Sequence, residues 1–390
     1  MAIGMDDQTF EQVLDTVRRF ARERLIPAET QVEQLDDIPE DIVQEMRDLG
    51  LFGLSIPEEY GGLALTTLQE SQVVESLCYA AMSFRSLVGT NVGIGAQGIV
   101  MEGTEAQKQQ YLPGLASGDL IASFALTEPD NGSDASHIRT SARRDGSDFV
   151  INGTKRYITN AIRANVFTLF ARTNPDDPGA GGVSAFLLPA DTPGITIATP
   201  DKKMGQKGTK TSDVILEDVR IPEEFIVGGP QNLNRGFRTA MKVLDRGRIH
   251  VSSMAVGTAQ RMLDEALGYA MERKQFGVPI CDHQLVQGLL ADSQAELAAG
   301  RALVRETARK YDATGAAALE ASCAKYFCTE MAGRVADRAV QVHGGAGYMA
   351  EYPIERLYRD ARLLRIYEGT SQIQQIIIAR NIIKAAAQGL

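Results

Sequence analysis

The chain has 390 residues, with 40 Lys+Arg against 50 Asp+Glu, a formal net charge of −10 and a sequence pI near 5.1. A surface of that sign repels a phosphate backbone, so no nucleic-acid partner is expected. Hydrophobic residues at 44% supply a large core. No apolar run reaches membrane-spanning length, and the acidic start MAIGMDDQTFEQ lacks a signal or transit pattern, so a cytoplasmic protein without a membrane partner is expected. The four cysteines (Cys78, Cys281, Cys323, Cys328) form no CxxC, and with four scattered histidines no disulfide scaffold and no metal site are expected.

The character of the chain changes twice, which predicts an α+β protein in three parts: an N-terminal α-helical domain over 1–122, a central β domain over 123–232 and a C-terminal helical domain over 233–390. In the first part, Pro39 opens a predicted helix, IPEDIVQEMRDLG, with acids in its first turn and Gly50 at its C-terminal end. TLQESQVVESLCYAAM continues in the same manner. In the second part Phe149-Val150-Ile151 runs into Asn152-Gly153, a predicted hairpin turn. VFTLFAR, VSAFLLP, ITIATP and SDVILEDVRIP follow as strands. In the third part, proline-free stretches rich in Ala, Leu, Glu and Lys predict long helices.

Gly93-Ile94-Gly95-Ala96-Gln97-Gly98 is a literal GxGxxG. That motif binds a dinucleotide only between a strand and a helix of a βαβ unit, and here it sits within helical sequence. Small residues at close approaches of helices, or of a ligand chain, are the better reading.

Five segments can carry chemistry. FALTEPDNGSD is a turn by composition, and its amides, Thr127, Ser133 and Gly132 also suit a polar heteroaromatic ring or a phosphate. KRYITNA is ordinary strand material, and Arg273 of RKQFG is solvated by default. The glycines of QVHGGAGY fit either a helix end or a backbone packed on a ligand. In IYEGTSQIQQIII, Thr370 or Ser371 suits a helix N-cap, with Ile373, Ile376, Ile377 and Ile383 forming an apolar face. Glu368 then stands in the loop entering that helix, either favouring its dipole or acting between Tyr367 and Gly369.

Taken in order, FALTEPDNGSD, KRYITNA, LDRGR, RKQFG, QVHGGAGY and IYEGTSQIQ resemble the acyl-CoA dehydrogenase family, over nearly the whole chain to ARNIIK. The resemblance implies helices around a small β-barrel or sandwich domain, a C-terminal four-helix bundle, and a homotetramer. It also implies FAD at the junction of the β domain and the C-terminal helices. The implied reaction, that of fatty acid β-oxidation, converts a fatty acyl-CoA to its trans-2-enoyl-CoA and passes electrons to an electron-transfer flavoprotein.

By the same resemblance, Phe124, Leu126, Thr127, Gly132 and Ser133 line the flavin, with Ser133 also near substrate, and Tyr157, Ile158 and Thr159 cover another part of its ring. Arg273, Gln275, Phe276, His283 and Gln284, with Gln341, Gly344 and Gly345, hold the dinucleotide portion, partly across a subunit interface. Thr370, Ser371 and Gln372 meet FAD phosphates or adenosine at a helix start. Asp245 and Arg248 match the substrate segment, with Tyr367 and Gly369 flanking the acyl group.

Glu368 matches the base that takes the α-proton while flavin N5 accepts the β-hydride, and desolvation is expected to raise its pKa. Some relatives carry the base where this chain has Gly247, which cannot act as one. Tyr157 stands where most relatives have tryptophan. Gly89, Thr90, Gly93 and Gly95 fall near the end of the tail pocket, and their small size predicts a deep or wide cavity for a medium-to-long or branched chain. An acyl-CoA oxidase, or a flavin-bearing scaffold on the same fold, remains an alternative.

Overall fold

The computed structural model describes residues 4–389; Met1–Ile3, at the acidic start, and Leu390 lie outside the described residues. Seven helices come first: α1 Asp7–Phe20, α2 Ile26–Leu35, α3 Glu40–Asp48, α4 Thr67–Leu77, α5 Met82–Gly89, α6 Gln97–Glu102 and α7 Glu105–Ser117. Their starts are written locally. Asp6 accepts from the Thr9 amide, and Thr66/Gln69 and Thr104/Gln107 form reciprocal capping boxes. Gly50 follows α3 in the left-handed region (φ +68°), as its placement predicts. TLQESQVVESLCYAAM does not run through: α4 stops at Leu77, and α5 restarts at Met82. The GxGxxG segment is helical, and a Cβ on Gly95 would press on Ala122 of the first strand, so its glycines serve close packing.

Seven strands follow: β1 Ala122–Ala125, β2 Ser141–Asp145, β3 Asp148–Thr159, β4 Val166–Arg172, β5 Val183–Pro189, β6 Ile195–Ile197 and β7 Thr211–Pro222. They form one curled sheet in the order β1-β4-β2-β3-β7-β6, with β5 paired to β4. The hairpin expected at Asn152-Gly153 is not there. β2 and β3 turn at Gly146-Ser147, and β3 continues through Asn152-Gly153 as a bulge against β7. Asn152 spends its amide on Asp218, accepting from the backbone N–H at 2.8 Å and donating to Oδ1 at 3.0 Å. Gly153 (φ +150°) is pressed against Thr140. A neighbouring strand therefore claims the turn-forming pair. A second irregularity, between Lys155 and Ile158, puts Tyr157 at φ +58° and turns it out of the ladder.

The rest is helical: α8 Gly236–Glu272, a two-stranded turn of β8 Lys274–Gln275 and β9 Val278–Pro279, then α9 Gln284–Thr314, α10 Ala318–His343, α11 Pro353–Ala361 and α12 Ser371–Ala387. Helix α8 is buried almost all round between Arg246 and Leu263, because α4, α9 and α10 pack on it. Gly257 lets α8 approach the backbone of Glu75 on α4. Arg246 on α8 pairs with Glu70 on α4, both buried; burial alone would raise the Glu70 carboxyl, but Arg246, with His250 and Arg85, brings it down to about 2.

One buried ion pair ties the loop after β1 to the sheet. Lys155 Nζ, fully buried on β3, donates to Glu128 Oε1 at 2.9 Å and to the Leu126 carbonyl at 3.2 Å. Glu128 also accepts the amides of Arg139 (2.6 Å) and Thr140 (2.8 Å). Lys155→Met leaves a buried carboxylate without its counter-charge, and a stability loss of about 3–5 kcal/mol is expected in urea denaturation. Adding Glu128→Gln should restore part of it. A loss below about 1 kcal/mol, the scale of a surface pair, would contradict this role.

Candidate active site

Glu368 lies in the short loop before α12. It takes φ +51° and Gly369 takes φ +89°, so two successive residues are left-handed. For a non-glycine residue that conformation costs on the order of 1–3 kcal/mol, and persists only where the surroundings over-determine it. Here they do. Lys325 Nζ on α10 donates to the Gly369 carbonyl at 2.7 Å. Gln374 Nε2 on α12 donates to the carbonyls of Glu368 (3.2 Å) and Gly369 (3.1 Å). A Cβ on Gly369 would crowd that same Gln374 nitrogen at 2.6 Å. Thr370 caps α12, its Oγ1 accepting from the Ile373 amide at 3.3 Å.

The side chain is enclosed but uncommitted. Glu368 Oε2 is sealed from solvent and has no hydrogen-bond partner. Burial pushes its pKa above the usual carboxylate range, against the opposing charges of Arg85, Lys325 and Arg248. Lys325 is itself pulled down to about 8 by burial, with Glu368 opposing. On α8, Gly247 faces the carboxylate, and a Cβ there would overlap Oε2. Gly247 is therefore the space Glu368 uses.

Glu368 opens into a cavity of about 770 Å³ where the sheet, the N-terminal helices and α8 meet the loop before α12. That volume suits a bound small molecule. From the sheet side it receives Phe124, Leu126, Thr127, Gly132 and Ser133, together with Tyr157, Ile158 and Thr159. Tyr157 is half-exposed, with the Arg156 guanidinium 5.1 Å from its ring centre. Arg248, Tyr367 and Gly369 also line the cavity, while Asp245 is engaged as the ion-pair partner of Arg248. The apolar face expected for α12 turns Ile373, Ile376 and Ile377 to this cavity, and Ile383 is exposed.

The other expected site residues stand elsewhere. Arg273 caps the C-terminus of α8, and Phe276, 95% exposed, tops the β8–β9 turn with Gln275 beside it. His283 meets Phe276 edge-on at 5.8 Å, where Gln284 begins α9. Gln341 lies in the last turn of α10, and Gly344 (φ +58°) ends that helix with Gly345 after it. His343 stacks on Tyr269, one turn before Arg273, so both groups share one end of the bundle, away from Glu368. Thr370 is spent on its cap, Ser371 donates to Glu330 at 2.5 Å, and Gln372 is exposed.

The expected deep tail pocket is corrected. Gly89 and Thr90 do line the cavity, but the space left by Gly89 is filled by the Arg85 guanidinium. Gly93 faces the His250 ring and Gly95 faces Ala122, so these glycines admit protein rather than a longer ligand. Sequence reasoning also passed over Arg85 and Lys325. Each is a lone cation in an apolar helical run, SFRSLVG and SCAKYFC, and that isolation is the signal that could have marked them.

Comparison with known proteins agrees along the chain. Residues 7–119, 123–219 and 234–383 match, in turn, the family descriptions "Acyl-CoA dehydrogenase, N-terminal domain", "middle domain" and "C-terminal domain". A probable acyl-CoA dehydrogenase of Bacillus subtilis (strain 168) is 42% identical over 374 residues, 96% of this chain and 98% of its own. Butyryl-CoA dehydrogenase of Megasphaera elsdenii superposes with a TM-score of 0.93 at 33% identity, over 98% of this chain and 100% of that one. A chain from structural work on the electron transferring flavoprotein of Acidaminococcus fermentans gives 0.92 at 35%, over 98% and 99%. Three domain matches in unbroken order, on a fold shared over almost the full length and with a carboxylate at its central cavity, mean that the chain belongs to the acyl-CoA dehydrogenase family of oxidoreductases.

Proposed function

We propose that this protein catalyses the FAD-dependent α,β-dehydrogenation of an acyl-CoA thioester to the trans-2-enoyl-CoA and passes the electrons to an electron-transfer flavoprotein. The observation that carries the reading is Glu368: a desolvated carboxylate whose Oε2 has no protein partner, at the wall of a ligand-sized cavity. The residues present suit the cofactor as well. Gly132 has nothing within 4 Å of where its Cβ would stand, so a flat ring can approach that loop's backbone, with Thr127, Ser133 and Thr159 offering hydroxyls nearby. When bound, FAD supplies the acceptor for the β-hydride.

Glu368 takes the α-proton, and its raised pKa makes it a stronger base than a solvated carboxylate. Arg85, Lys325 and Arg248 keep it ionisable at working pH. Tyr367 and Gly369 hold the acyl group beside it. A homotetramer is part of the proposal: Arg273, Phe276, His283 and the Gln341–Gly345 segment point away from their own cavity and are free to serve a neighbour's cofactor. The division at 1–122, 123–232 and 233–390 is proposed with it.

The direct test is anaerobic titration of the FAD-loaded protein with acyl-CoAs. Glu368→Gln should retain bound flavin yet lose about 10²–10⁴-fold in the rate of flavin bleaching. Full bleaching by that variant would remove Glu368 from the role.

The electrostatics predict a pH profile. Glu368 works deprotonated, so kcat/KM falls as pH drops through its pKa, and the acid limb should lie above the ordinary value of 4.5. Lys325→Gln keeps a donor for the Gly369 carbonyl but removes a cation that favours the carboxylate. Its acid limb should therefore move to higher pH; a limb that stays or moves down would contradict the assignment.

Gly247→Ala separates stability from function. Alanine in a helix interior is favoured over glycine by about 1 kcal/mol. The added methyl displaces Oε2, so activity should fall with thermal stability unchanged or raised. Undiminished kcat would show that the carboxylate does not work from this position.

A further inference from the structure

Arg85 stands on α5 with its guanidinium in the cavity wall, 6% exposed. A buried guanidinium ordinarily has a carboxylate beside it. Among the described residues, none forms an ion pair with this one. Its Nη2 donates to His250 Nδ1 at 3.2 Å, and Nε has no partner. Accepting there puts the His250 ring proton on Nε2, which lies 3.1 Å from Glu70 Oε2. Glu70 is already paired with Arg246. Burial, with the charges of Arg246 and Arg85 adding to it, holds His250 below its usual pKa and hence neutral, although Glu70 opposes. Arg85, Arg246, His250 and Glu70 together therefore keep one positive charge in surplus at the cavity wall, felt by the Glu368 carboxylate but not joined to it in an ion pair.

The seat for that charge is built. A Cβ on Gly89 would stand 2.5 Å from Arg85 Nε and 2.8 Å from Nη1, so the chain forgoes a side chain at residue 89 to admit the guanidinium. The same cavity carries an apolar lining from Ile94, Phe237, Met241 and Leu244. A hydrocarbon chain lying there would leave the cation against methylene groups, with its donors unsatisfied. A carboxylate would take two of those donors at once, in the geometry a guanidinium recognises best.

We propose that the acyl group accepted here carries its own carboxylate at the end distal to the thioester, and that Arg85 binds it; the substrate is a dicarboxylic acyl-CoA. This rests on the dehydrogenation proposed above and leaves its proton and hydride steps unchanged. Arg85 also bears electrostatically on Glu368, and losing its charge would disturb turnover of every substrate. Recognition is therefore read as a ratio between substrates.

The test compares pairs of equal chain length: glutaryl- with valeryl-CoA, adipoyl- with hexanoyl-CoA, pimeloyl- with heptanoyl-CoA. kcat/KM is measured on the FAD-loaded enzyme, and binding by calorimetry in the Glu368→Gln background, where turnover does not interfere. The dicarboxylic member of at least one pair should be preferred by about 10²-fold or more. Arg85→Met should collapse that ratio, and Arg85→Lys should retain part of it. If Arg85→Met fails to fold, Gly89→Ala displaces the guanidinium and is read the same way.

Equal or better use of the hydrocarbon members by the unaltered enzyme would overturn the proposal, as would equal losses for both classes in Arg85→Met. Arg85-dependent binding of a dicarboxylic acyl-CoA without dehydrogenation of any acyl-CoA would sink the proposed reaction and uphold this inference. Absence of both turnover and binding preference would sink the two together.

Discussion

Glu368 has a backbone conformation that L-residues avoid and a carboxylate oxygen that no protein group satisfies, and both persist because neighbouring elements hold the loop from outside. Lys325 reaches from α10 to the Gly369 carbonyl, Gln374 reaches back from α12, and Gly247 on α8 leaves the volume that the carboxylate occupies. None of these residues is near Glu368 in sequence except Gln374. The long helices α8 and α10 therefore have to be packed before the loop can take its shape. The N-terminal helices add to that requirement through the Arg246–Glu70 pair, which joins α8 to α4 within the buried layer.

The electrostatic problem is a balance of opposed terms. Enclosure raises the pKa of Glu368, as the proposed base role requires, but enclosure alone would favour the protonated form that cannot act as a base. Three cations stand near enough to oppose this without forming a hydrogen bond to Oε2. Each is anchored by another contact: Lys325 by a carbonyl, Arg248 by Asp245, and Arg85 by His250. Anchoring matters because a cation free to swing would close on the carboxylate and bury its reactive oxygen in a salt bridge. The same anchoring leaves Arg85 with donors to spare, and in the proposed reading this ties the electrostatics of Glu368 to the choice of substrate.

How much of this was legible depends on the range over which each feature is decided. The stop at Gly50 and the cap at Thr370 are written within a few residues, and the structure has them where the pattern puts them; the capping boxes at Thr66 and Thr104, which the structure adds, are just as local. Asn152-Gly153 misleads because the preference of that pair for a turn is local, whereas its bulge is set by pairing with Asp218 across the sheet. The glycines of α5 and its continuation mislead for a related reason. A missing side chain announces space, but not whether a ligand or another part of the protein fills it, and here Arg85, His250 and Ala122 do.

From the sequence alone came the order of helical, β and helical regions, the acidic charge balance, and the loop in which Glu368 precedes a helix. These follow from composition, periodicity and capping, all of which act over short stretches of chain. The tertiary structure decided which residues share the cavity, which stay at the far end of the bundle, and which charges surround the carboxylate. Those outcomes depend on burial and on contacts between residues hundreds of positions apart, and a buried cation such as Arg85 or Lys325 acquires its meaning only from what does, and does not, stand beside it.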